Sequence, residues 1–167
     1  MSTADMFGKP LGATQPSRPA WPAMPRICQP HDAVTPLFQA RMPHLISPFQ
    51  WDPKQRGGPK YSVQAEVDAS ALGVEELEVW AALRSAVERH RPDGGVTPFD
   101  EPGGVVRFNM SCFRAPEAHG RLGARVGDSG LAGAWMRAWV TLSAYGAFSG
   151  RPGGVLLGLR AFELVDK

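Results

Sequence analysis

Cysteine is scarce in this sequence, its charges nearly balance, and it holds no long apolar run. Two cysteines, Cys28 and Cys112, cannot build a disulfide framework and fit a reducing compartment. Without a run of roughly 18 apolar residues, a transmembrane helix is excluded. The opening residues, Met1 to Asp5, lack a basic segment followed by an apolar core, so no secretory signal is expected. Catalytic signatures are missing as well. The four histidines, His31, His44, His90 and His119, are scattered without metal-ligand spacing. Glycine pairs such as Gly57-Gly58 and Gly153-Gly154 mark turns, and none forms a phosphate-cradling loop ahead of a helix. Asp100-Glu101 has no matched partner and reads as a solvated turn. These gaps lead us to expect a non-enzymatic protein without metal or cofactor.

What is present is enough for one globular domain. The chain has 167 residues, 43% of them hydrophobic, which argues against wholesale disorder. Its 19 glycines and 16 prolines point to many turns and to β-structure. Proline is concentrated at the start, with Pro10, Pro16, Pro19, Pro22, Pro25, Pro30 and Pro36 in the first quarter. Residues 1–40 show neither helical nor alternating periodicity and read as an extended arm. Residues 41–167 read as the domain, with its first strand starting near Phe38.

The domain's elements follow from local pattern. Residues 38–47 read as a strand that Pro43 demotes to an edge or a bulged one. Residues 50–59 form a polar loop. Residues 60–68 alternate strictly, with Tyr61, Val63, Ala65 and Val67 on one face and Lys60, Ser62, Gln64 and Glu66 on the other. The spacing of Leu77, Trp80, Leu83 and Val87 predicts a helix over 74–91, with acidic residues in its first turn and basic ones in its last. Further strands are predicted at 104–114, 131–145 and 155–164. Five strands with one inserted helix is the element count of a small, partly open barrel such as the OB-fold.

The informative segment is 131–145. Alternation gives Met136, Ala138, Val140 and Leu142 a core face, and sets Trp135, Arg137, Trp139 and Thr141 on the other. Flat aromatic rings beside a guanidinium suit single-stranded nucleic acid, because bases stack on rings and phosphates meet cations. Tryptophans on strands also serve as plain packing residues. Neighbouring segments carry the same mixture. Arg107 and Phe113 share a face of the 104–114 strand. The 50–60 loop offers Trp51, Lys54, Arg56 and Lys60, followed by Tyr61, and Arg160 interrupts the last strand.

Several ordered stretches resemble a family of phage-encoded single-stranded DNA-binding proteins with an OB-fold. Arg41-Met42-Pro43-His44-Leu45 resembles the family's opening strand, and Gly58-Pro59-Lys60-Tyr61-Ser62-Val63 its second. Val106-Arg107-Phe108-Asn109-Met110-Ser111 resembles the central strand. Ala134-Trp135-Met136-Arg137-Ala138-Trp139-Val140, with Gly154-Val155-Leu156-Leu157-Gly158-Leu159, resembles the closing hairpin. The resemblance covers about residues 41–165. It implies a cytoplasmic protein that coats single-stranded DNA during phage replication and recombination, meets replication or recombination proteins, and often acts as a dimer. It carries DNA contact onto Lys60, Tyr61, Arg107, Trp135, Arg137 and Trp139. Such proteins often end in an acidic tail, which the closing Glu163-Leu164-Val165-Asp166-Lys167 does not resemble. The alternative is a β-barrel adaptor of a phage particle or larger assembly.

The net charge of +2 conceals a division. Residues 41–65 carry +3 and residues 102–167 carry +4, whereas 66–101, which hold the helix, carry −6. DNA is therefore expected on the strand face away from the helix.

Overall fold

The computed structural model describes residues 31–50, 52–54, 57–120 and 127–165. In chain order the elements are β1 (Asp32–Val34), β2 (Phe38–Phe49), β3 (Lys60–Asp68), α1 (Val74–His90), β4 (Val105–Cys112), β5 (Glu117–His119), β6 (Trp135–Tyr145) and β7 (Gly154–Leu164). Short 3-10 turns occupy Ala69–Ala71, Pro102–Gly104 and Asp128–Leu131.

One sheet runs β1-β6-β2-β3-β4-β7-β5, and β6 also pairs with β7. The circuit β2-β3-β4-β7-β6 therefore returns to its start. Two of its seams are thin: β4 meets β7 in parallel at Ser111 and Gly158, and β2 meets β6 at Phe38–Met136 and Gln39–Trp135. The result is the mainly β, partly closed five-strand barrel expected, with one helix. Two short strands are added, β1 beside β6 and β5 beside β7. Residues 31–40, the end of the stretch read as an arm, include β1 and the start of β2. Thr35 anchors that corner: it is 1% exposed, and its hydroxyl accepts from the Ala138 amide at 2.9 Å. The rest of the arm lies outside the described residues.

Alternation built the core. Val63, Ala65 and Val67 of β3, Val106, Phe108 and Met110 of β4, and Met136, Ala138, Val140 and Leu142 of β6 all point inward and are buried. In β7 the phase changes. Val155, Leu157 and Leu159 are buried, and then Phe162 and Leu164, because the register against β6 shifts between Trp139 and Val140. Arg160, next after Leu159 in the alternation, is exposed on a strand that otherwise reads as apolar, and the shift changes the facing of the residues after it. Helix α1 caps the barrel with Trp80, Leu83, Ala86 and Val87. Its Trp80 stacks on Phe108 with centroids 6.2 Å apart, and Phe99 meets both rings edge-on. Leu77, placed in the apolar arc by spacing, is 42% exposed because it lies to one side of that contact.

Pro43 does not put its strand at an edge. Strand β2 lies between β6 and β3, and the ladder skips from Arg41–Gln64 to His44–Ser62. The missing proline amide falls within that bulge. Beyond it, the Asp128 carboxylate accepts from the amides of Leu45, Ile46 and Ser47 at 2.6, 2.8 and 3.0 Å.

Candidate nucleic-acid interface

Register places the outward side chains of β2, β3 and β4 in four rows. The first runs Trp135, Gln39, Glu66, Arg107 across β6, β2, β3 and β4. The second runs Arg41, Gln64, Asn109, and the third His44, Ser62, Ser111. The fourth pairs Phe49 with Lys60. Phe113 follows β4 there, its ring 4.9 Å from the Lys60 ammonium. From Lys60 to Glu66 the face is about 20 Å long, at roughly 3.3 Å per residue.

Aromatic and cationic groups sit at both ends of this face. At one end Phe113 is 53% exposed, and its ring packs on Gly57, where an added Cβ would fall 2.7 Å away. Gly57 also has φ +85, so its lack of a side chain is required twice. His44 stacks on Phe49 with centroids 4.7 Å apart. At the other end Glu66 Oε2 accepts from Arg107 Nε and from Arg41 Nη1, both at 2.9 Å. The Arg107 hydrogen bond is the main reason that the Glu66 carboxyl lies below its ordinary value of 4.5, with Arg41 adding to it. Two guanidinium groups share one carboxylate, which leaves this trio with a net positive charge and unused N–H donors.

The residues singled out in sequence do not all converge here. Lys60, Arg107, Phe113 and Trp135 do. Tyr61 is half-buried, with its neighbours Lys60 and Ser62 turned outward. Lys54 is exposed in the turn before β3, its amide bonded to Asp52. Trp51 and Arg56 lie outside the described residues.

Arg137, Trp139 and Arg160 form a separate arrangement on β6 and β7, which corrects the reading of 131–145 as one open platform. Arg137 is 13% exposed and is held between Glu76 of α1 at 3.3 Å and Glu163 of β7 at 3.9 Å. Trp139 is 8% exposed, packed with Ala161 and Val34, and the Arg160 guanidinium covers its ring at 4.9 Å. This part of β6 therefore faces the acidic helix rather than away from it. Residues the sequence reading did not name as DNA contacts are Arg41, Gln64, Asn109 and Phe49. Gln64 and Asn109 were legible from their alternation with core residues, as was Arg41 from Phe38 and Ala40, but the ladder shifts between Arg41 and Phe49 hid the facing of Phe49.

Among the described residues no group of acidic, histidine or cysteine side chains could hold a metal ion. No described helix is long and apolar enough to cross a membrane.

No protein-family model matches the sequence, and no curated protein matches it. Solved structures do. The single-stranded DNA-binding protein of bacteriophage Enc34 in complex with ssDNA superposes with a TM-score of 0.62 at 10% identity, over 82% of this chain and 87% of that one. The single-stranded DNA-binding protein gp2.5 encoded by bacteriophage T7 gives 0.57 at 17% identity, over 81% and 91%. The described chain thus has the fold of these phage proteins, with little of their sequence.

Proposed function

We propose that this protein binds single-stranded DNA along the outer face of β2, β3 and β4. The observation that carries this reading is the four-row face, with rings at both ends and Arg41, Arg107 and Lys60 beside them. Bases stack on exposed rings for roughly 1–3 kcal/mol each, and phosphates meet the cations. Five-stranded barrels of this topology bind oligonucleotides on their second and third strands and on two neighbouring loops. Here those strands are β3 and β4. The loops are 50–59, which hold Trp51, Lys54 and Arg56, and 146–153, which hold Phe148 and Arg151. The fold shared with the two phage proteins supports the same reading.

The stacking and phosphate contacts at the ends of the face are largely independent of sequence, and binding through them weakens with salt. We attach to it a non-catalytic role in covering single strands during phage DNA replication and recombination. That role places the protein in the host cytoplasm, among other replication or recombination proteins, and as a dimer. Titration with oligo-dT at low salt, followed by tryptophan fluorescence, tests the core of the proposal. Saturable quenching that salt reverses is expected, and no change in emission at low salt overturns it. Sedimentation of the free protein separately tests the dimer.

A further inference from the structure

We infer that the centre of the face is a nucleobase pocket that recognises base edges by hydrogen bonding; this rests on the single-strand reading above. Gln64 stands directly opposite Asn109, and Ser62 opposite Ser111. With Met42 and Lys60 they line a hollow of about 340 Å³. None of these four neutral side chains makes a side-chain hydrogen bond to another described residue.

The chemistry of the four differs from that of the ends. A carboxamide holds a donor and an acceptor side by side, and a hydroxyl offers both. A phosphate has only acceptors to present, so a donor–acceptor pair is wasted on it. A base edge presents both together, which is why Asn and Gln pair with it in two-point fashion. The charge pattern agrees. Arg41 and Arg107 stand at one end and Lys60 at the other, so a strand whose phosphates engage the ends sets the intervening bases over the neutral centre.

Met42 completes the pocket. It is 55% exposed and has φ +45, a left-handed conformation uncommon outside glycine. The bulge at Pro43 imposes it and places Met42 between this hollow and a second one of about 290 Å³ that also touches Gln39 and Arg41. A polarizable thioether at that rim offers an adaptable contact for the flat side of a base.

The test compares oligo-dA, oligo-dC and oligo-dT of equal length with a strand of abasic sites. Wild type is expected to separate its best and worst homopolymer by about fivefold or more. The double variant Gln64→Ala/Asn109→Ala should narrow that spread to less than about twofold while losing affinity for the best one. Its affinity for the abasic strand and its salt dependence should not change, because no charge is removed. If the double variant keeps the wild-type ranking and spread, the pocket is overturned and strand binding stands. If wild type binds no strand at low salt, the abasic one included, the single-strand reading fails and the pocket with it. Should the double variant unfold, Asn109→Ala alone, at its exposed position, carries the same comparison.

Discussion

The Glu66 carboxylate accepts from Arg107 Nε at 2.9 Å across the β3–β4 ladder, and the same oxygen holds Arg41. Its pKa is lowered, so deprotonated Glu66 is favoured in the folded state. The sign follows from linkage. The stabilisation is fully present above the ordinary value of 4.5 and is lost as pH falls through the lower folded value. Glu66→Gln should therefore be less stable than wild type near neutral pH, with the two converging in acid; thermal melts across pH check this. The same variant removes a negative charge beside two arginines. Its affinity for single strands should rise a few-fold at low salt, about what one surface charge contributes.

Trp135 and Trp139 lie four residues apart on β6 and have different tasks. Trp135 joins the Arg107 row, so Trp135→Ala should weaken oligo-dT binding by about tenfold, within the range for one lost stacking ring. Trp139 is buried under Arg160, so Trp139→Ala should cost about 3 kcal/mol of stability instead. A melt and a titration on each variant separate the two. Equal binding losses at equal stability would contradict the division.

Asp128 ties its 3-10 turn to three consecutive amides beyond the β2 bulge. Charge-assisted bonds of this kind are strong, but the site is partly open to water, so Asp128→Ala should cost about 1–2 kcal/mol. Faster hydrogen exchange at Leu45, Ile46 and Ser47 is the local signature to measure. Unchanged exchange there would refute the bracing role.

Burial raises the Cys112 thiol to about 11. In a Cys28→Ser background, alkylation near pH 8 should run roughly a hundredfold slower than for an ordinary exposed thiol. Timed labelling with mass detection reads this directly, and rapid labelling of the folded protein would count against the burial.

The long elements were legible in the residues because their patterns are local. Alternation from Lys60 to Asp68 fixes which side chains share a face whatever strand lies beside them. The arc Trp80, Leu83, Val87 likewise announces a helix, and the acidic character of α1 belongs to its own first turn. Strands β1 and β5 were not legible: three residues each carry no period, and only the neighbours β6 and β7 give them a ladder to join.

The interface divides along the same line. Composition and alternation alone put Lys60, Arg107, Phe113 and Trp135 among the outward basic and aromatic residues. Pairing between distant segments decided which of those residues meet. It brought Trp135 into the Arg107 row through Gln39 and Glu66, and it carried Glu76 of the helix to Arg137. Pairing of β6 with β7 laid Arg160 over Trp139, and the bulge there shifted the phase of the last strand so that Phe162 and Leu164 reach the core. A residue's face is set by its neighbours two positions away, whereas its partners are set by chain closure over a hundred residues, which no local pattern records.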